Sequence, residues 1–128
     1  MKKKNVKPSE SEMEVLNLLW KHGALTVREV HNMLNSRKSI GYTTTLKVMQ
    51  RMHEKELLTR EPLERSHIYQ AAITEEETQS EIIDRLLYSA FGGSSLKLVM
   101  RALGNKSTSK DDLVKIREYL NKIERGDK

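Results

Sequence analysis

The order of hydrophobic periods in residues 9–70 restricts the possible folds more than any other feature of the chain. Two segments of the pattern Ser/Thr-x-x-Glu, Ser9–Glu12 and Thr26–Glu29, are typical of capping boxes, in which side chains satisfy the free N–H groups at a helix start. Apolar residues follow each box at helical spacing, which predicts two amphipathic helices. A third helix is predicted from Tyr42 to Lys55.

The period changes after this third helix. Residues 57–60 and 67–70 have the composition of short strands, and residues 61–66 between them contain Pro62, which interrupts a strand. We therefore predict two strands joined by a hairpin loop over residues 61–66. Three helices followed by a hairpin is the order of the winged helix-turn-helix, in which the hairpin is the wing.

Residues 73–128 are predicted to form three more helices. Thr74–Glu77 is a third capping box, and Gly92-Gly93 interrupts the long helix that follows it. A shorter helix is predicted to end at Gly104-Asn105, and the last helix to begin near Ser109. The predicted fold class is mainly α within the α+β class. It has an N-terminal winged helix-turn-helix with a small β-hairpin wing, followed by a three-helix dimerisation region.

The two predicted domains, residues 1–72 for DNA binding and 73–128 for dimerisation, differ in charge. Residues 1–70 contain 13 Lys and Arg against 8 Asp and Glu, whereas residues 71–128 contain 10 of each. Excess positive charge is typical of a polyanion-binding part, although chance scatter of solvated Lys and Arg gives the same count. Apolar seams in the neutral part favour a homodimer over a monomer folded back on itself. The predicted dimerisation residues are Ile82, Ile83, Leu86, Leu87, Phe91, Leu113, Ile116, Leu120 and Ile123.

The third helix is predicted to read DNA with its exposed face. A helical rotation of about 100° per residue places Thr45 on the buried side, together with Val48, Met49 and Met52. Threonine, lysine and glutamine lie opposite, and these residue types suit thymine, guanine and adenine, although ordinary surface helices carry them too. Tyr42 either contacts a phosphate or packs against Trp20 or Met49. The predicted DNA-binding residues are Thr43, Lys47 and Gln50, the flanking Thr44 and Arg51, the marginal Tyr42, and Arg60, Arg65 and His67 of the wing.

Composition excludes several function classes. A chain of 128 residues without cysteine has no disulfide framework, cysteine zinc site or cysteine nucleophile. Its four histidines are scattered, and we find no Ser/His/Asp set, phosphate loop or metal-ligand spacing. We therefore expect no enzyme, no metal and no cofactor. Because no run approaches the ~20 apolar residues of a membrane span, we expect a cytoplasmic protein without membrane insertion.

These residues together resemble the BlaI/MecI penicillinase-repressor family. The resemblance is carried by residues 11–20 (SEMEVLNLLW), 41–52 (GYTTTLKVMQRM) and 54–58 (EKELL), by Tyr69, and by residues 91–96 (FGGSSL). It covers nearly the whole chain. It implies bacterial transcriptional repressors that bind operators with inverted repeats as homodimers, with the wing on the DNA backbone.

Three departures limit what the resemblance implies. Family members that answer β-lactams are inactivated by cleavage at an Asn-Phe bond, triggered by a membrane sensor metalloprotease, whereas Val99-Met100 stands at the matching position here. The resemblance thus implies a sensor protease as a partner, but this chain lacks the Asn-Phe bond that such a protease would cleave. Copper-responsive relatives carry Cys-x-Cys pairs, which this chain lacks. Leu46 stands where some relatives have arginine, so the operator sequence does not carry over.

A second function class is compatible with the same pattern. In a winged-helix protein-interaction module, the third helix would dock on a protein without sequence-specific DNA binding. Salt separates the two interpretations, because counterion release makes DNA binding weaken steeply between low and moderate ionic strength.

Overall fold

Six helices and three strands make up the described part of the chain, residues 7–105 and 107–126 of a computed structural model. In chain order they are α1 (Glu10–His22), β1 (Leu25–Thr26), α2 (Val27–Asn35), α3 (Tyr42–Glu54), β2 (Leu58–Leu63), β3 (Ser66–Ala71), α4 (Glu75–Ser89), α5 (Ser95–Leu103) and α6 (Lys110–Glu124). The predicted order of helices and hairpin is confirmed, and β1 is an addition to it. No helix in this described part is long and apolar enough to cross a membrane.

The helix starts follow the capping patterns of the sequence. The side chains of Ser9 and Thr26 each accept a hydrogen bond, 3.2 Å long, from the N–H group three residues later. The glutamate at that later position accepts from the N–H of the cap in return. At α4, Thr74 Oγ1 accepts from the N–H of Glu77 at 3.0 Å. Each such cap stabilises its helix by about 1 kcal/mol.

The sheet has three antiparallel strands in the order β1-β3-β2. Strand β1 pairs Leu25 with Tyr69 and Thr26 with Ile68, which joins the hairpin to the segment just before α2. Two residues are too few to show an alternation of apolar and polar side chains, and so the sequence did not predict this strand.

The hairpin is longer, and its turn shorter, than the sequence predicts. β2 and β3 pair along their whole length and leave Glu64 and Arg65 as the turn. The predicted loop over residues 61–66 is therefore wrong, because Pro62 lies within β2 and pairs with His67. β2 is an edge strand, where proline is tolerated because one side of the strand needs no N–H donor for the ladder.

The core of the N-terminal unit lies between α1, α2, α3 and the sheet. Tyr69 on the central strand is 1% exposed, and Leu16 of α1 is fully buried. Burying a large apolar side chain stabilises a fold by about 1.5–3 kcal/mol, so this cluster supplies most of the driving force for folding. Its members are Val15, Leu16, Leu19, Leu25, Val27, Val30, Leu34, Met49, Met52, Leu57, Leu58 and Tyr69.

The first turns of α4 belong to this same unit. Trp20 packs against the core while half-buried, and its Nε1–H donates to the carbonyl oxygen of Ile73 at 3.0 Å. Thr78, in the first turn of α4, is buried. The two compact units of the structure divide between Ile83 and Asp84, inside α4. The functional boundary between residues 72 and 73 stays a prediction, and residues 1–6 lie outside the described residues.

The C-terminal unit leaves its apolar side chains in solvent. Among its described residues, from Asp84 to Gly126 without residue 106, none is buried. Met100 is 63% exposed and Tyr119 is 64% exposed, although α5 and α6 are well capped by Ser94 and Ser109. A unit that buries so little apolar surface has little to stabilise it by itself.

A buried carboxylate joins the start of α1 to the end of α3. Glu12 is 5% exposed, and its Oε2 accepts a 2.7 Å hydrogen bond from Lys55 Nζ. The N–H of Ser9 donates to its Oε1 at 3.0 Å. Burial raises the pKa of Glu12, but the bonds from Lys55 and Ser9 and the charges of Lys55 and Arg51 outweigh it and lower that pKa below its ordinary value.

Replacing Glu12 tests this link. Glu12→Gln should lower the free energy of unfolding at pH 7 by about 1–2 kcal/mol, since a charge-assisted bond is lost while the half-exposed Lys55 regains water. Because the folded-state pKa is lowered, the contribution is complete above the ordinary glutamate pKa of about 4.3 and is lost as the pH falls through the folded-state value. Urea unfolding across that range measures it.

Glu10→Gln is the matched control, because Glu10 is exposed in the same helical turn. An equal loss of stability in both variants would contradict the assignment. A difference between wild type and Glu12→Gln that persisted unchanged at the acid end would contradict it as well.

Candidate nucleic-acid interface

One face of α3 is fixed in the core. Thr45 is 2% exposed, and Met49 and Met52 are fully buried. The helical period predicts these three residues and also Val48, which is only partly buried where it packs against the core. The buried face sets the rotation of α3 about its axis. The opposite face must therefore point to solvent.

The end of α3 directs the chain into the wing. Glu56 has a φ of 69°, in the left-handed region, and the N–H of Leu57 donates back to the carbonyl oxygen of Met52 at 2.9 Å. This is the geometry of a Schellman-type helix end, here formed without glycine. Strand β2 begins immediately after it, so the wing starts at a fixed distance from the helix.

The exposed face of α3 carries the residues that the sequence predicts as DNA contacts. Their hydrogen-bonding groups are polar or cationic, and each side chain is open to solvent. These exposed residues are Thr43, Thr44, Lys47, Gln50 and Arg51. Their placement is compatible with base reading, which stays a prediction for each of them.

Tyr42, at the first position of α3, is half-buried and contacts α2. The guanidinium carbon of Arg28 lies 4.2 Å from the centre of its ring. The ring of His31 meets it edge-on, with centroids 5.5 Å apart and an interplanar angle of 81°. Tyr42 also packs against the core cluster. Its ring thus has fixed neighbours, and the predicted phosphate contact of its hydroxyl stays a prediction.

A buried polar contact joins α2 to α3 below this ring. His31 is 9% exposed, and its Nδ1 lies 3.3 Å from Thr45 Oγ1. Buried polar groups are costly unless they are hydrogen-bonded, so this contact favours one alignment of the two helices.

The wing carries the other predicted contacts. Arg65 is exposed in the turn between β2 and β3. Arg60 is half-buried, and its Nη1 donates to the hydroxyl of Tyr69 at 3.3 Å. His67 is half-buried, with its ring edge-on to Tyr69 at 6.3 Å. Arg65 is therefore the most exposed of the three side chains.

A groove of about 320 Å³ lies between the start of α2, the face of α3 and the wing. It brings together four residues predicted as DNA contacts, namely Tyr42 and Gln50 of α3 and Arg65 and His67 of the wing. Its lining residues are Thr26, Val27, Arg28, Tyr42, Leu46, Gln50, Arg65, Ser66, His67 and Tyr69. Thr43 and Lys47 do not line the groove, and their predicted contacts with bases lie outside it.

Arg28 is a cationic residue of this groove that the sequence did not predict as a DNA contact. It stands in the first turn of α2, just after the Thr26 cap, and nothing in the helical pattern separates it from any other surface arginine. Only its position over Tyr42, from a different helix, distinguishes it.

Comparison with known proteins gives consistent matches. A family model described as "Penicillinase repressor" matches residues 8–122. The chain is similar to the penicillinase repressor of Staphylococcus aureus, with 24% identity over 96% of this chain and 98% of that protein. It is also similar to the transcriptional regulator BlaI of Mycobacterium tuberculosis, with 27% identity over 90% of this chain and 83% of that one. The solution structure of the DNA binding domain of the repressor BlaI superposes with a TM-score of 0.53 and 26% identity, over 59% of this chain and 93% of that domain.

Two substitutions separate base reading from backbone contact. Lys47→Ala should weaken binding to the preferred sequence about tenfold and relax the preference at one base position, because a lysine that donates to guanine discriminates between bases. Arg65→Ala should weaken binding to all sequences alike and reduce the slope of log K against log salt by about 0.9 for each bound protomer, the value for one phosphate.

Both effects are measured by comparing the affinities of each variant for two duplexes, one selected from a random pool by the wild-type protein and one of random sequence. If Lys47→Ala lost the same factor on both duplexes, Lys47 would be removed from the base-reading set.

Proposed function

The chain belongs to the penicillinase repressor family, a family of DNA-binding transcriptional repressors and not of enzymes, and from this premise we propose that it acts as a homodimer on an operator with inverted repeats. The observation that carries the proposal is the pairing of a polar, solvent-facing α3 in one unit with uncovered apolar helices in the other. The first supports DNA reading, and the second supports a second copy of the chain.

The proposed reading set follows from the rotation of α3. Thr43, Lys47 and Gln50 face away from the buried Thr45 and would meet base edges, with Thr44 and Arg51 on the flanks. The second helix of a helix-turn-helix enters the major groove while the first crosses the backbone. The wing residues, described above, would then contact phosphates beside the groove.

The proposed dimer is supported by a set of apolar side chains that are exposed to solvent in a single copy of the chain. On α4, Leu86 is 41% exposed, while on α6 Leu120 and Ile123 are each 52% exposed. Side chains of this kind at helical spacing are typical of a helix that packs against another helix. The remaining members of the proposed set are partly or largely exposed as well, namely Ile82, Ile83, Leu87, Phe91, Leu113 and Ile116.

A two-fold dimer also fits the demands of operator reading. One α3 reads only a few base pairs, which gives little specificity over the competing sites of a genome. Two copies related by a two-fold axis present two reading helices to two half-sites about one helical turn apart. Because such a repressor works where the chromosome lies, we place it in the cytoplasm.

The partner that releases the repressor is a further part of the proposal. A membrane sensor protease is the partner that the family relationship suggests, and Val99-Met100, at the family's cleavage position, lies within α5. Cleavage there would require local unfolding of that helix. Intact full-length chain in cells after induction of its target genes would exclude this route.

Genome-wide mapping of bound DNA tests the function itself. Inverted repeats under the bound regions are expected, and the neighbouring genes would identify the signal. A protein-interaction module would instead give no enrichment, and the purified chain would not bind duplex DNA even at low salt.

A charge placed in the apolar seam of α6 tests the dimer. Leu120→Glu should weaken dimerisation about tenfold to 100-fold, since burying a leucine contributes about 1.5–3 kcal/mol. Binding to the inverted repeat should weaken with it. Sedimentation velocity and operator titration measure the two effects.

Asn121→Glu is the control, because it adds the same charge at the next position, outside the apolar seam of α6. The proposal predicts that this variant stays dimeric. A wild-type chain that sediments as a monomer and still binds the repeat without cooperativity would refute the dimer.

A further inference from the structure

Arg28 and Tyr42 form a stacked pair at the mouth of the groove between α2, α3 and the wing. The guanidinium carbon lies 4.2 Å from the ring centre, well within the range of a cation–π contact. Arg28 is exposed, whereas the ring beneath it is half-buried. The pair therefore consists of a solvent-facing cation on an anchored platform.

The platform is held from below by buried groups. The ring of His31 meets Tyr42 edge-on, and His31 Nδ1 lies 3.3 Å from the buried Thr45 Oγ1. Tyr42 thus has neighbours on α2 and sits one turn before the residue that fixes the rotation of α3.

Stacking leaves the hydrogen-bonding groups of Arg28 available. A guanidinium is planar and its N–H donors lie in that plane, so a contact over the face of a ring leaves donors for another partner. Holding the side chain in one place also removes much of the conformational entropy that a free arginine loses on binding. The planar fork then suits two oxygens of one phosphate.

The charges around Arg28 favour an anion. Arg65 of the wing lines the same groove, so both α2 and the wing contribute a cationic group to its lining. Glu29, the acidic residue next to Arg28 in the sequence, is bound at the helix cap, where its Oε1 accepts from the N–H of Thr26 at 2.9 Å. Its charge is thereby directed to the cap.

We propose that Arg28, held by stacking on Tyr42, binds a backbone phosphate of DNA, and that Tyr42 is a positioning residue for it. This inference rests on the proposed function and adds a contact from α2 to those predicted on α3 and the wing. It fits the general geometry of the motif, in which the first helix crosses the DNA backbone. The groove would then hold one strand between Arg28 and Arg65.

The test uses the full chain and a random-sequence duplex of about 30 bp, long enough for two half-sites one turn apart. Arg28→Ala removes one phosphate contact from each protomer of the dimer, so it should weaken binding about ten- to 100-fold and reduce the slope of log K against log salt by about 1.8, which is about 0.9 for each of two phosphates. Arg28→Lys should retain the slope while recovering only part of the affinity, because lysine keeps the charge without the planar fork. Lys122→Ala, an exposed cation removed from α6, should leave both unchanged.

A double-mutant cycle of Tyr42 and Arg28 tests whether Tyr42 acts through Arg28. Tyr42→Leu should weaken DNA binding in the wild-type background and have no further effect in the Arg28→Ala background. Tyr42→Phe should bind DNA as the wild type does, because it retains the ring. A purely structural role for Tyr42 would weaken both backgrounds equally, and thermal unfolding identifies any variant that fails to fold. Arg28→Ala alone still decides the inference, since its side chain is exposed.

The outcomes separate this inference from the function on which it rests. If the wild type binds the duplex with a steep salt dependence and Arg28→Ala matches it in affinity and slope, the inference is wrong and the function stands. If the wild type binds no duplex at low salt, the proposed function fails, and the inference fails with it.

Discussion

The packing of Thr45, Met49 and Met52 into the N-terminal core is the constraint on which the rest of the structure depends. A helix that buries three positions one turn apart has no freedom to rotate, because any rotation exposes apolar surface and buries polar groups. The exposed face is thereby determined, and with it the residues that are proposed to contact DNA. The wing is bound to the same core through Tyr69, so helix and wing keep a fixed separation.

Two buried polar contacts favour one alignment of the helices within this apolar core. Glu12 joins α1 to the end of α3 through Lys55, and His31 joins α2 to α3 through Thr45. Each places a polar group inside the protein, where it is tolerated only with its partner in place. Such contacts contribute little net stability compared with the core, but they favour a single alignment of the helices. The contact between Arg28 of α2 and Tyr42 of α3 depends on that alignment of the two helices.

The two units differ in how complete they are. The N-terminal unit encloses a core of twelve buried apolar residues, whereas the described residues of the C-terminal unit include no buried side chain. A DNA reader of this size needs a second reading helix for specificity, and the C-terminal unit needs a cover for its apolar seams. One association would satisfy both needs, which is the physical basis of the proposed homodimer.

The sequence by itself determined the features that depend on near neighbours along the chain. Capping boxes gave the starts of α1 and α2 because the bonded groups are three residues apart, and the helical period identified the buried face of α3. Only the tertiary structure decided the rest. Strand β1 exists because Leu25 finds Tyr69, and Pro62 is accepted because β2 lies at an edge. Arg28 joins the candidate site because a ring from another helix lies beneath it, and no local pattern encodes a contact between distant segments.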